Sequence, residues 1–145
     1  MTERPLDLRS LHNAITRLGE GLARYLQDTT DDQIRDGLIQ RFAFTYESSH
    51  KMLKRYLRAI SPTPEEVDQM AFADLIRSAN EQRLLRSDWQ VWRGYREMRA
   101  RTSHAYDEDI ALEVVANIPD FLEEAHFLYE RLEDRLGDRI ESCNP

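Results

Sequence analysis

Apolar residues recur along this chain at steps of three and four, the period that lines up one face of an α-helix. Leu8, Leu11, Ile15, Leu18, Leu22 and Leu26 trace a first amphipathic helix over roughly residues 6–28. Thr29-Thr30-Asp31-Asp32 reads as a turn carrying N-cap chemistry. Ile34, Leu38, Phe42, Tyr46, Ser49, Leu53 and Leu57 then mark a second, long helix that ends before Pro62. Ser61-Pro62-Thr63-Pro64 breaks it, because the residue before each proline is pushed away from helical angles. Thr63 is placed to cap a third helix, with Pro64 at its first position and Glu65-Glu66 in its first turn. That helix is expected to bury Val67, Met70 or Ala71, and Leu75, and to run to about Asn80.

Ser87-Asp88 is a further cap, opening a helix through Trp89, Trp92, Tyr95 and Arg99. Gly94 inside it costs about 1 kcal/mol, so a packing reason is worth looking for. The last helix starts near Glu108 and reaches the 130s, with Asn117-Ile118-Pro119 expected to kink or divide it. From about residue 136 to 145 the chain is expected to fray. No strand pattern, repeat or low-complexity stretch is present. The pattern predicts an all-α fold: a single domain over residues 1–145, an up-and-down antiparallel bundle of about five helices. Phe42, Phe44, Tyr46, Trp89, Trp92, Tyr95, Phe121, Phe127 and Tyr129 are more aromatics than one small core requires. Most are expected inside; a surplus on one side would mark a homodimer face.

Composition narrows the class. The chain has 145 residues, 41% of them hydrophobic, with five glycines and five prolines. The lone cysteine, Cys143, has no partner within the chain, which fits a reducing compartment. No apolar core follows the N-terminal charges, and no stretch approaches the length of a membrane span, so a cytoplasmic location is expected. A formal net charge of −7 argues against indiscriminate nucleic-acid binding. The charge is uneven, however. Residues 77–101 carry seven arginines against Glu81, Asp88 and Glu97, whereas residues 107–145 carry twelve acids against three arginines. This asymmetry is either a dipolar surface that aids solubility and docking or a local anion-binding patch.

At that boundary stands Arg99-Ala100-Arg101-Thr102-Ser103-His104-Ala105-Tyr106. It combines a guanidinium able to hold a phosphate through two parallel hydrogen bonds with an imidazole able to move protons near neutral pH. Five residues apart on one helix, Arg99 and His104 would point about 140° away from each other. They can converge only if the chain leaves the helix between them. Asp107-Glu108-Asp109 looks like a new helix start, so Thr102 to Tyr106 is expected to form a short connection between two helices.

Three pieces of the sequence resemble the nucleotidyltransferase substrate-binding proteins of the HEPN superfamily. Ile34 through Glu47 is similar to that family's second-helix signature, and Lys51-Met52-Leu53-Lys54-Arg55-Tyr56-Leu57 continues it. The third piece is Arg99, four residues, His104, one residue, Tyr106, then an acidic pair. Order and spacing match over roughly residues 7–135. The chain departs from the pattern in two places: Ala100 stands where a polar residue is usual, and Ser48-Ser49-His50 where apolar residues and a tryptophan are usual. The resemblance implies a helical bundle that forms a homodimer, and a separate small nucleotidyltransferase partner encoded nearby. In the related toxin branch it implies a metal-independent ribonuclease site built on the arginine and histidine, with the partner acting as antitoxin by nucleotidylating the tyrosine.

Cutting RNA without a metal requires a base, an acid and positive charge on the phosphate. A two-fold dimer placing both motifs in one cleft would supply two of each group. His104 is then expected to handle protons and Arg99 to clamp phosphate, with Tyr106 as the modification site. Otherwise His104 is a helix-end residue bonded to Asp107, and Arg99 half of a surface ion pair. Arg101 competes with Arg99 for the clamp, and Glu47 stands as a supporting side chain from the second helix. His50 could reach the same cleft, while His12 and His126 read as surface or core residues. No glycine-rich phosphate loop or cysteine–histidine zinc spacing is present, so no cofactor or metal is expected. The alternative to a ribonuclease is a non-catalytic subunit presenting substrate or nucleotide to the nucleotidyltransferase. A generic helical scaffold is a third reading.

Overall fold

A computed structural model describes residues 6–143, with side chains as far as Gly137. Among the described residues six α-helices follow in order: α1 (Arg9–Gln27), α2 (Asp32–Ile60), α3 (Pro64–Gln69), α4 (Phe72–Glu81), α5 (Trp89–Arg101) and α6 (Glu108–Cys143). A single 3-10 turn, Thr102–His104, joins α5 to α6. The three long helices α1, α2 and α6 pack on one another, and α5 lies against α2 and α6.

The helix starts follow local chemistry. Asp31 caps α2, its side chain accepting from the backbone N–H groups of Gln33 (3.0 Å) and Ile34 (3.1 Å). Asp88 caps α5 by accepting from Val91 N–H at 3.3 Å. Asp107 does the same for α6, accepting from Asp109 and Ile110 at 2.9 and 3.3 Å. Thr63 holds the N-cap position of α3 with Pro64 behind it, yet its side chain makes no cap bond. Instead the Thr63 N–H donates to Ser61 Oγ at 3.1 Å.

The expected third helix is two helices. Met70 and Ala71 are extended, with ψ of 137° and 153°. Burial explains the break. Val67 and Ile76 are both buried, but nine residues apart on one straight helix they would face opposite sides. The extended pair lets both meet the core. α4 then ends in a reversal: Leu84 N–H donates to Ala79 O and Arg83 N–H to Asn80 O, each at 3.0 Å. This is the Schellman pattern, with Arg83 at φ 60° in the left-handed position that glycine usually fills.

Pro119 does not divide α6, which runs unbroken for 36 residues. Proline removes one donor, the one that would serve the Val115 carbonyl. The fully buried side chains of Val114, Ile118 and Phe121 on either side hold that turn in place. The helix also continues to Cys143, across the stretch expected to fray.

The core is aromatic where α2, α5 and α6 meet. Phe121 packs edge-on against Phe42 and Tyr95, with ring centroids 5.1 Å away in each case. Trp92 meets Tyr95 edge-on at 5.4 Å and approaches Tyr46 at 6.3 Å. Phe44 and Tyr106 are exposed instead, 61% and 86% accessible. Glu124 is fully buried and accepts from the Arg86 backbone N–H at 2.8 Å, tying the loop before α5 to the middle of α6. A close approach occurs at Gly21 on α1. A Cβ there would stand 3.1 Å from Cδ of Arg41, whose guanidinium donates to the Arg17 carbonyl at 2.7 Å.

Gly94 has no such reason. A Cβ at that position meets nothing within 4 Å. Gly94→Ala is therefore expected to stabilise the fold by about 0.5–1 kcal/mol through helix propensity. Urea unfolding of the two proteins checks this; an unchanged or lower midpoint contradicts it.

Candidate functional site

Polar residues of α2 at steps of four and seven, Asp36, Gln40 and Glu47, fall on one outward stripe. The C-terminal end of α5 lies beside that stripe. Between them is a surface groove of about 630 Å³, lined on the α2 side by Asp36, Gln40, Phe44 and Glu47. Arg99, Thr102, Ser103 and Tyr106 line the other side.

Arg99 is the centre of this groove. Its Nη2 donates to Glu47 Oε1, joining the last turn of α5 to the middle of α2. Its Nη1 donates to Thr102 Oγ1 at 3.1 Å. The Thr102 hydroxyl in turn donates to the Arg99 carbonyl at 2.7 Å, so the side chain and the end of its own helix are fixed together. The third guanidinium donor, Nε, is buried and has no partner. The guanidinium thus has two neighbours holding it and one donor direction unmatched.

The chain leaves α5 where the spacing required. Thr102–His104 forms the 3-10 turn, and Asp107 N–H donates to the His104 carbonyl at 3.0 Å. His104 is exposed, its ring centroid 6.0 Å from that of Tyr106 at 70°. The Asp107 carboxylate is spent on capping α6 rather than on the imidazole. His104 does not line the Arg99 groove, whereas Tyr106 does. Within one chain the structure therefore brings Arg99, Glu47 and Tyr106 together and leaves His104 at the rim.

Arg101 does not compete for the groove. It points to α6, where its Nη1 meets Glu113 Oε2 at 2.5 Å. Arg86 likewise meets Glu123 at 2.5 Å, and Arg35 lies 3.6 Å from Glu108. Two of the seven arginines in residues 77–101, Arg86 and Arg101, are thus matched by acids of α6. Asp36, Gln40, Phe44, Thr102 and Ser103 were missed by reasoning from the motif alone. The stripe of polar residues inside the α2 signature is the signal that locates the first two.

His50 lies on α2, one turn beyond Tyr46, and packs against Phe72 at 5.0 Å rather than entering the groove. Burial lowers its pKa, and the charges of Lys54 and Arg96 lower it further. Burial pushes the Tyr46 hydroxyl up to about 12, opposed by the charges of Arg96 and Arg99. His12 is exposed beside Tyr129 at 5.2 Å, and His126 is exposed on α6. Among the described residues no group of three His, Cys, Asp or Glu is arranged to hold a metal ion, and no helix is long and apolar enough to cross a membrane.

The bundle and its groove agree with known proteins. A family described as "nucleotidyltransferase substrate binding protein like" matches residues 6–134. The chain belongs to this family. A Haemophilus influenzae protein named probable ribonuclease HepT is 41% identical over 104 residues, covering 72% of this chain and 70% of that protein. A solved Haemophilus influenzae structure, described as showing the fold of a substrate-binding domain of a nucleotidyltransferase, aligns with a TM-score of 0.82 at 34% identity. That alignment covers 88% of this chain and 99% of the other. A Thermus thermophilus crystal structure aligns with a TM-score of 0.67 at 29% identity, over 84% of this chain and 98% of that one. As a member of the nucleotidyltransferase substrate-binding family, the chain has the helical fold that its sequence pattern predicts.

The lowered pKa of His50 has a consequence for stability. As pH falls through about 6.5, the unfolded chain takes up this proton before the folded chain does. Stability is therefore lost as pH drops below that value. Urea midpoints at pH 7.5 and 5.5 should fall further for the wild-type chain than for His50→Gln; equal declines would contradict the assignment.

Proposed function

We propose that this protein is a metal-independent ribonuclease toxin that works with a small nucleotidyltransferase as antitoxin. The observation that carries the reading is the placement of Arg99. A partly buried guanidinium lines a solvent-open groove, fixed by Glu47 and Thr102, where a phosphate oxygen can take the place of the Glu47 carboxylate on its terminal nitrogens. A relative 41% identical over most of its length bears the name of a probable ribonuclease.

In this reading Arg99 clamps the scissile phosphate and offsets the charge that builds up on it as the 2′-oxygen attacks. His104 moves the protons: as base it takes the proton of the 2′-hydroxyl, and as acid it returns one to the departing 5′-oxygen. One imidazole at the rim of one chain cannot do both at once. A homodimer that sets the rim of one copy against the groove of the other supplies both imidazoles and two clamps. Tyr106 lines the same groove and is 86% exposed, so its hydroxyl is open to modification. A nucleotide transferred to that oxygen by the antitoxin, with pyrophosphate leaving, places a bulky anion beside Arg99 and closes the site.

A second reading is favoured by a specific observation. Arg99 already holds a carboxylate, and His104 stands outside its groove. That arrangement suits a non-catalytic subunit that presents RNA or nucleotide to its partner, as the description of the Haemophilus influenzae structure would suggest.

Two measurements separate these readings. Purified wild-type protein should cleave RNA in the presence of EDTA, and His104→Ala should lower the rate by at least about 100-fold; equal rates remove His104 from catalysis. Incubation with the nucleotidyltransferase and ATP should add one nucleotide to a Tyr106-containing peptide by mass spectrometry. An unmodified peptide eliminates the proposed neutralisation.

A further inference from the structure

The outward face of α2 continues past the Arg99 groove on both sides, and one ring belongs to every part of it. Phe44 is 61% exposed. It lines the groove of Arg99 and Tyr106. It also lines a groove of about 510 Å³ with Arg17 and Arg41, and a smaller one of about 200 Å³ with Lys51 and Arg55. A single exposed apolar residue is ordinary in itself. Its surroundings are not.

Arg17, Arg41, Lys51 and Arg55 form no ion pair among the described residues. Arg86, Arg99 and Arg101, by contrast, are each matched to a carboxylate. The acids on the three grooves are Asp36 and Glu47, and Glu47 is already joined to Arg99. A chain of formal charge −7 thus keeps four unmatched cations around one exposed ring.

We propose that Phe44 is a stacking platform for an unpaired base of single-stranded RNA, with Arg17 and Arg41 on one side and Lys51 and Arg55 on the other carrying the flanking phosphates. The proposal rests on the ribonuclease reading only in naming RNA as the strand; the platform lies next to the phosphate clamp and extends it. Every base offers a π-face to an aromatic ring, and cations beside the ring follow the backbone. Charge complementarity selects this occupant over a second copy of the chain. A two-fold contact centred on Phe44 would set the same four cations against their own images, whereas the homodimer of the ribonuclease reading brings its second copy to the Arg99 end of the groove.

The test is an anisotropy titration of the full-length protein with a labelled oligouridylate of about twelve nucleotides. Phe44→Ala should weaken binding about tenfold, and Phe44→Trp should restore it. Lys51→Gln should lower the slope of log affinity against log salt by about 0.7. A duplex of the same length should not distinguish Phe44→Ala from wild type, because paired bases hide their faces. Unchanged oligouridylate affinity in Phe44→Ala overturns the platform. So does unchanged affinity accompanied by a shift in sedimentation from dimer to monomer, which would give this face to a second copy. Deoxyuridylate should lose affinity in Phe44→Ala as oligouridylate does, because the ring and the cations read base faces and phosphates that both strands share; a deoxyuridylate affinity indifferent to Phe44→Ala also overturns the platform. RNA that is bound through Phe44 but never cleaved leaves the platform standing and defeats the ribonuclease reading. Normal binding and cleavage by Phe44→Ala defeats the platform alone.

Discussion

The edge-on packing of Phe121 between Phe42 and Tyr95 sets the spacing on which the rest of this molecule depends. These three rings come from α6, α2 and α5, and Trp92 and Tyr46 extend the cluster at the α2–α5 seam. Rigid aromatic contacts leave little freedom in how far α5 stands from α2. Glu47 follows Tyr46 directly in sequence, and Arg99 lies one helical turn beyond Tyr95. The buried residues therefore aim the polar ones. The ion pair between Arg99 and Glu47 forms on the surface because the core beneath it has already fixed both backbones.

Electrostatics divides the surface into two regimes. Around α6 the acids are met by arginines from elsewhere: Glu108 by Arg35, Glu113 by Arg101, and Glu123 by Arg86. The exposed pairs of Arg86 and Arg101 contribute little stability each, but all three cancel charge locally. Around Phe44, which is left in water, Arg17, Arg41, Lys51 and Arg55 form no ion pair among the described residues. An acidic protein can in this way keep a cationic surface without the global positive charge that would draw in nucleic acid everywhere.

Much of this architecture was legible in the sequence where the cause is local. The caps at Asp31, Asp88 and Asp107 act on amides two and three residues away, so composition alone locates them. The departure from helix between Arg99 and His104 was legible for the same reason. What was not legible has distant causes. Met70 and Ala71 favour helix, and only the need to bury both Val67 and Ile76 breaks them apart. Pro119 suggests a break that packing from both flanks prevents. In the arginine-rich stretch only the fold shows that Arg86 and Arg101 are answered by Glu123 and Glu113 of α6. In the site itself, the motif gave the position of Arg99 but not its company: Glu47 was identified through the second-helix signature, whereas Thr102 and Phe44 emerge only when the helices are placed.

Gly21 carries no chemistry and touches no substrate in any reading of this protein. Yet the hydrogen atom it has in place of a side chain leaves the space in which Arg41 lies across α1 to reach the Arg17 carbonyl. A methyl group there would stand 3.1 Å from Cδ of Arg41 and press on the side chain that makes this bond. Selection acting on the charge of this face would consequently register at a backbone position that a survey of reactive side chains passes over.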